Sequence, residues 1–256
     1  MLSIRHLFSV LILLFAFAKS ATADKITIAA DVWCPFNCDP SADQPGFMIE
    51  VANKVFSARG YEVNYIVMSW SRAIREAELG NINGIIGAFP GDAPHFIFPE
   101  QELSILSNTF FIHKDSNWRY QGVDSLKQIQ LVAISGYDYG PELRDYIQQS
   151  GSEHVSLLSG QGQPLRRGIK MLNLKRVGAI VEADQVFWYT AQQLGVAENF
   201  KAAGRSSEPM KSYIAFSPAL ENSSEFAQIL SEGIVTLRAS GELAEILQKY
   251  GLKDWR

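Results

Sequence analysis

Aromatic and acidic residues stand where predicted β-strands end, and these side chains are the best suited to binding chemistry. Asp31 and Trp33 follow the first predicted strand, Trp70 follows the second and Phe89 follows the third. Aromatic faces attract flat or cationic molecules, and a carboxylate accepts hydrogen bonds from them. This set favours reversible binding of a sugar, an aromatic acid, an amine or another flat solute. The alternative for each aromatic side chain is a place in the hydrophobic core.

A second group of candidate residues lies in the other half of the chain. Tyr137 and Tyr139 are expected to face the first group, and Ser135 precedes a turn where backbone N–H groups could hold an anionic group. Glu182 either binds a cation or only begins a helix. The full set of candidate ligand-binding residues is Asp31, Trp33, Trp70, Gly87, Ala88, Phe89, Ser135, Tyr137, Tyr139 and Glu182.

Catalysis requires a nucleophile with a base, or two carboxyl groups that meet. Asp31 with Glu182 is the one such pair that can be named, and the sequence does not say whether the two meet. The histidines are scattered without a spacing typical of a metal site. We therefore predict no enzyme activity, no catalytic residue, no cofactor and no metal.

The two cysteines, Cys34 and Cys38, have a C-x3-C spacing that differs from the C-x-x-C of thioredoxin-like redox sites. In an oxidising compartment such a pair is expected to form a small disulfide loop, which would fix the segment around Trp33. Free thiols, a metal site and a redox role are the alternatives.

The N-terminal residues 1–23 have the pattern of a secretory signal peptide. A short segment with Arg5 precedes an apolar run of about 12 residues, which is too short for the roughly 20 that a spanning helix needs. We expect a mature protein that is free in the periplasm, is not anchored to a membrane and is monomeric. The net charge of −4 becomes more negative without Arg5 and Lys19, which argues against a nucleic-acid partner.

Strand and helix patterns alternate twice along the chain. Strands are predicted at 25–30, 61–67 and 82–87 with helices between them, and the order β-α-β-α-β repeats after residue 130. This order predicts an α/β fold of two lobes, each with a mostly parallel sheet flanked by helices. The predicted lobes are 24–110 plus 211–256, and 111–210. Two extended segments between them predict a hinge.

Several phrases along the chain resemble one known family. They are GFMIEV at 46–51, Trp70 at a helix start, GNINGIIG at 80–87, the segment 125–136, YIAFSP at 213–218 and the segment 237–251. Together they resemble the family 3 extracellular solute-binding proteins, which have the type II periplasmic binding fold. The resemblance implies a clamshell that closes on a small solute, often a polar amino acid, and passes it to an ABC-type membrane transporter.

Two departures from the family pattern concern the solute. Members that bind amino acids carry an Arg soon after the third strand, whereas this chain has His95 nearest to that place. They also carry an Asp in the second lobe at the position of Ala183, which here is flanked by Glu182 and Asp184. The residues that would hold an α-amino acid are therefore absent, and the prediction is a small polar or aromatic solute. A periplasmic sensor that docks on a membrane signalling protein, and an enzyme on the same scaffold, are the alternative functions.

Overall fold

Two five-stranded sheets organise residues 24–160, 163–206 and 208–256, which are the residues that the computed structural model describes. In each sheet four strands run in one direction and one strand runs against them. The predicted two-lobed α/β fold is confirmed. The predicted signal peptide, residues 1–23, lies outside the described residues.

The first lobe is built on a sheet of order β2-β1-β3-β10-β4, in which β10 is the reversed strand. Its strands are β1 (Asp24–Ala30), β2 (Tyr61–Val67), β3 (Gly84–Ala88), β4 (Ser104–Leu106) and β10 (Met210–Phe216). Its helices are α1 (Phe47–Ser57), α2 (Trp70–Glu78), α6 (Ser223–Ser240) and α7 (Glu242–Lys249).

The second lobe repeats this plan with a sheet of order β7-β6-β8-β5-β9, in which β5 is the reversed strand. Its strands are β5 (Asn108–His113), β6 (Leu131–Ile134), β7 (Val155–Leu158), β8 (Ala179–Ala183) and β9 (Phe200–Arg205). Its helices are α3 (Pro141–Gln149), α4 (Pro164–Asn173) and α5 (Asp184–Gln193), with 3₁₀ helices at Val123–Gln128 and Ala197–Asn199.

The helices cover the sheets through apolar faces that the sequence spacing creates. In α2, Trp70, Ala73 and Ala77 recur at helical spacing and all three are buried. The same spacing in α1 buries Met48 and Val55. Within the described ranges, no helix combines the length and apolar character that a bilayer span needs.

The chain crosses between the sheets twice, once between β4 and β5 and once between β9 and β10. The first crossing is short, because only Ser107 separates the two strands. Two neighbouring crossings of this kind are the usual form of a hinge between lobes. The lobe limits at 110/111 and 210/211 stay a prediction.

The C-terminal residues bind the segment just before β4, where the first crossing to the second lobe begins. The buried Glu102 carboxylate, two residues before β4, accepts hydrogen bonds from Arg256 Nε at 2.6 Å and from Trp255 Nε1 at 3.0 Å. The Arg256 guanidinium lowers the pKa of Glu102 to about 2. Arg238 of α6 pairs with Asp254 at 2.8 Å and lies over the Trp255 ring. The tail therefore joins α6 to the strand that leads into the second lobe.

Candidate functional site

A disulfide between Cys34 and Cys38 shapes the loop that leaves β1, as predicted. Inside the loop the backbone N–H of Trp33 donates to the backbone carbonyl oxygen of Asn37 at 2.8 Å. The Trp33 ring stacks on the Phe36 ring, with centroids 4.6 Å apart. These contacts fix the direction of the Trp33 indole. The Asn37 side chain is fully buried and donates to the Asp31 carbonyl oxygen at 2.7 Å, so that it also holds the residue at the end of β1.

A small cavity lies between the lobes at the carboxyl ends of β1 and β3. Its volume is about 20 Å³, which is room for about one water molecule. The first lobe supplies most of its wall and Tyr137 of the second lobe supplies the rest. The lining residues are Asp31, Trp33, Trp70, Ile86, Gly87, Phe89, Asp92 and Tyr137.

Aromatic rings make up much of this wall. Trp33 meets Phe89 edge to face with centroids 6.2 Å apart, and Trp70 meets Tyr137 in the same way at 6.4 Å. Trp33, Trp70 and Phe89 are all buried. The Trp70–Tyr137 contact joins α2 of the first lobe to the loop after β6 of the second lobe.

Three hydrogen bonds, one buried and two partly buried, connect the lobes around the cavity. The Tyr137 hydroxyl donates to Asp31 Oδ2 at 2.9 Å, and Trp33 Nε1 donates to Glu182 Oε1 at 3.0 Å. The backbone N–H of Asp138 donates to Asp92 Oδ1 at 2.8 Å. In each bond the acceptor is a carboxyl oxygen, so the closed arrangement depends on three acidic side chains.

Burial changes the protonation of these carboxyl groups. Loss of hydration raises the pKa of Asp31 to about 7, and it raises the pKa of Asp92 and of Glu182 to about 7 as well. The charge of Asp31 further raises the pKa of Glu182. No Lys, Arg or His of the described ranges lines the cavity, so no protein cation there compensates the negative charge.

Three buried polar atoms at or beside the cavity have no hydrogen-bond partner among the described residues. They are the indole N–H of Trp70, Oε2 of Glu182 and Oδ1 of Asn37. The Trp70 N–H is near enough to Asp92 to lower the pKa of that carboxyl, but it does not form a hydrogen bond with it. An unpaired donor and an unpaired acceptor in a buried site are costly unless another molecule completes them.

Gly136 allows the lobes to approach each other closely. It has a φ of 86°, which favours glycine, and a Cβ placed on it would stand 2.6 Å from Ser71 Oγ of the first lobe. A side chain at this position would hold the loop after β6 away from the start of α2.

The structure brings together most of the candidate ligand-binding residues. Asp31, Trp33, Trp70, Gly87, Phe89 and Tyr137 line the cavity, and Glu182 lies behind Trp33. Ala88, Ser135 and Tyr139 do not line it. The Tyr139 side chain turns back into the second lobe, where its hydroxyl accepts a hydrogen bond from the Ile134 N–H at 2.7 Å.

Asp92 and Ile86 line the cavity, and Asn37 holds the neighbouring Asp31 backbone, but none of the three was among the predicted residues. Asp92 lies three residues beyond Phe89, and its Oδ2 accepts the Phe89 N–H at 2.9 Å. A short acidic turn after a strand is the signal that could have identified it. Asn37 carries no comparable signal.

Solved structures of known proteins share this architecture. A putative L-cystine ABC transporter protein from Listeria monocytogenes has a TM-score of 0.75 and 12% sequence identity, and the match covers 91% of this chain and 99% of that one. A structure from work on glutathione import and the cystine ABC importer of Streptococcus mutans has a TM-score of 0.74 and 17% identity, over 91% and 98% of the two chains. A histidine kinase sensor domain with similarity to periplasmic binding proteins has a TM-score of 0.73 and 17% identity, over 90% and 98%.

These identities are low, so the likenesses establish the fold. No match was found among curated protein sequences. The family model of bacterial extracellular solute-binding proteins, family 3, matches residues 26–253. With a match over nearly the whole described chain, this protein belongs to the family 3 bacterial extracellular solute-binding proteins.

Proposed function

We propose that this protein captures a small solute between its lobes, in the periplasm, and delivers it to an ABC-type membrane transporter. One observation carries the proposal: side chains of both lobes meet around a buried cavity, where Tyr137 of one lobe bonds to Asp31 of the other. Structures with the same fold include substrate-binding proteins of amino-acid ABC transporters. The family also supports a site of action outside the cytoplasm.

Binding would require the lobes to separate and close again. The cavity of about 20 Å³ is too small for an organic solute beside the direct contacts between the lobes. A solute would enter when the hinge opens, and it would replace the Tyr137–Asp31 bond with bonds of its own. The residues proposed to touch it are Asp31, Trp33, Trp70, Phe89, Asp92 and Tyr137.

The proposed role is binding without chemical change. Asp31 and Glu182 are the two carboxyl groups that the sequence suggested as a catalytic pair. Each accepts a hydrogen bond from the other lobe, so both have a role in holding the lobes together. Mass spectrometry of a solute incubated with the protein is expected to recover the solute unchanged. Appearance of a product that requires Asp31 would instead favour the enzyme alternative.

A stability screen tests the proposal. Thermal unfolding is measured with a panel of amino acids, amines, sugars and organic acids. The prediction is that at least one compound raises the melting temperature by an amount that increases with its concentration. Trp70→Phe removes the unpaired indole N–H of the cavity and is expected to reduce this rise. Trp118→Phe is the matched control, because Trp118 donates to the Ser125 carbonyl oxygen within the second lobe.

The same shift in both tryptophan variants as in the wild type would contradict the proposed location of the site. Absence of any shift across the panel would contradict solute capture itself.

A sensor role is the second candidate. The similarity to a histidine kinase sensor domain supports it, because that domain has the same two-lobed fold. The two roles differ in the membrane protein that docks on the closed lobes. Crosslinking in intact cells followed by identification of the attached protein separates them: a permease subunit supports transport, whereas a kinase or cyclase supports sensing.

A further inference from the structure

The described wall of the cavity between the lobes carries acidic side chains and no basic side chain. Asp31 and Asp92 line it, and Glu182 lies behind Trp33. Arg144 is a nearby cation, but it does not line the cavity, and its half-exposed side chain pairs with Asp138 at 3.2 Å. Ionised carboxylates that are taken out of water without a cation are unstable, so this wall favours a ligand that brings a positive charge.

The rest of the wall also suits a cation. Trp33, Trp70, Phe89 and Tyr137 surround the same space, and aromatic faces attract ammonium and guanidinium groups, Trp most strongly. A metal ion does not fit this set. Among the described residues, no three His, Cys, Asp or Glu side chains are grouped closely enough to hold one.

The unpaired atoms add independent evidence for a ligand. Glu182 is 1% exposed, and its Oε2 accepts no hydrogen bond from the described residues, so that it lacks a donor. Trp70 is 5% exposed and lines the cavity, and its indole N–H lacks an acceptor in the same part of the chain. A donor group of a ligand could pair with Glu182 Oε2, and an acceptor atom of a ligand could pair with the Trp70 N–H.

A carboxylate on the ligand would be disfavoured. It would meet Asp31 and Asp92 without an Arg or Lys of the described cavity wall to neutralise it. An α-amino acid carries such a group, whereas the amine made by removing its α-carboxylate does not.

We propose that the solute of this protein is an organic cation, an amine or guanidinium compound that has no α-carboxylate. The inference rests on the proposed function, because it concerns the same cleft. The ammonium or guanidinium group binds between Asp31 and Asp92, and the remainder of the solute contacts the indole rings of Trp33 and Trp70.

Matched pairs of compounds test this directly by calorimetric titration. The pairs are tyramine with tyrosine, histamine with histidine, and agmatine with arginine, each differing by the α-carboxylate, and glucose is added as a neutral solute. The titrations are made at pH 8, where Asp31 and Asp92 are mostly ionised and the amines are protonated. The expected result is that at least one amine binds about tenfold or more tightly than its parent amino acid.

Variants assign the effect to the cavity. Asp92→Asn removes the charge and keeps one acceptor oxygen for the two backbone N–H groups, of Phe89 and Asp138, that Asp92 binds. It is expected to weaken binding of the amine about tenfold or more. Asp145→Asn, at an exposed position on α3, is the control and is expected to bind as the wild type does. If Asp92→Asn does not fold, Asp31→Asn replaces it, and circular dichroism without ligand checks the fold of each variant.

The outcomes separate this inference from the proposed function. Tighter binding of a parent amino acid or of glucose than of any amine would overturn the inference and leave solute capture standing. Binding of an amine that the folded carboxyl variant does not weaken would overturn the inference as well. If no compound binds, either in these titrations or in the wider stability screen, the result counts against the inference and against the proposed function.

Discussion

The Tyr137 hydroxyl in the second lobe donates a hydrogen bond of 2.9 Å to Asp31 Oδ2 in the first lobe. Asp31 follows the first strand of one sheet, and Tyr137 stands in the turn after the first parallel strand of the other. The bond therefore connects corresponding places in two repeated βα units. It is a direct contact between the lobes at the cavity, and the proposed separation of the lobes would break it.

Removing this bond is expected to favour the open arrangement. Tyr137→Phe deletes the hydroxyl and is predicted to increase the radius of gyration measured by X-ray scattering, with a loss of about 1 kcal/mol in the free energy of unfolding. Tyr146→Phe is the matched control, because the buried Tyr146 hydroxyl has no hydrogen-bond partner among the described residues. Equal scattering from both variants and the wild type would contradict a role of the Tyr137 bond in closure.

The buried carboxyl groups predict a stability that falls as pH rises. In the folded protein the pKa of Asp31, Asp92 and Glu182 is raised to about 7, whereas in the unfolded chain carboxyl pKa values are about 4. Between these values the folded state binds more protons, so unfolding releases protons and the free energy of unfolding decreases with increasing pH. From pH 5 to pH 7.5 the decrease is expected to be about 1 kcal/mol or more, measured by urea denaturation.

A charge-neutralising variant tests the origin of that slope. Glu182→Gln removes one of the three groups and is predicted to flatten the dependence, whereas Asp145→Asn on the exposed face of α3 leaves it unchanged. A slope that is the same in all three proteins would mean that Glu182 has an ordinary pKa in the folded state.

The close approach of Gly136 to Ser71 predicts that a methyl group there obstructs closure. Gly136→Ala combines the strain of a φ of 86° with a contact at 2.6 Å. We expect a stability loss of about 1–2 kcal/mol and a larger radius of gyration. Gly140→Ala is the matched control, because Gly140 has a φ of 85° and its new methyl group would meet no described atom within 4 Å.

The two effects at Gly136 can be separated. Adding Ser71→Ala to Gly136→Ala removes the oxygen that the methyl group meets, so the double variant should regain the wild-type radius of gyration but not the lost stability. A Gly136→Ala protein as compact as Gly140→Ala would show that the lobes do not meet at this point.

The tail contact at Glu102 predicts a larger contribution to stability than an exposed ion pair makes. Glu102→Gln weakens the bonds to Arg256 and Trp255 and is expected to lower the free energy of unfolding by about 1–2 kcal/mol at pH 7. Glu62→Gln in the exposed pair with Lys25 is the control, with an expected change below about 0.5 kcal/mol. Chemical denaturation measures both, and a Glu102→Gln change no larger than the control would contradict the anchoring role.

The sequence predicted the parallel strands of each sheet because each of these strands has a recognisable pattern of apolar residues within its own segment. Alternation identified β1 and β2, and an apolar run between glycines identified β3. The short strand β4 has no such signal, since its three residues form a strand only because β10, about a hundred residues later, lies beside them. The pairing of β9 with β5 is equally remote in sequence.

The site residues also fall into a part that the sequence predicts and a part that it does not. Asp31, Trp33, Trp70 and Phe89 follow from the rule that ligands bind at the carboxyl ends of strands. The orientation of a side chain within a turn does not follow from that rule: Tyr137 points into the cavity, whereas Tyr139, two residues later, points back to Ile134.

Capture of a solute between the lobes is tested most directly by the distance between them. Cys34 and Cys38 are joined, so Arg75→Cys and Leu157→Cys place spin labels at two exposed positions, one in each lobe. Pulsed electron paramagnetic resonance then measures the label distances with and without the amine that binds best. We predict a broad distribution that includes separated lobes without the amine, and a single narrow distribution with it. A compound that binds tightly and leaves the distribution unchanged would contradict binding in the cleft.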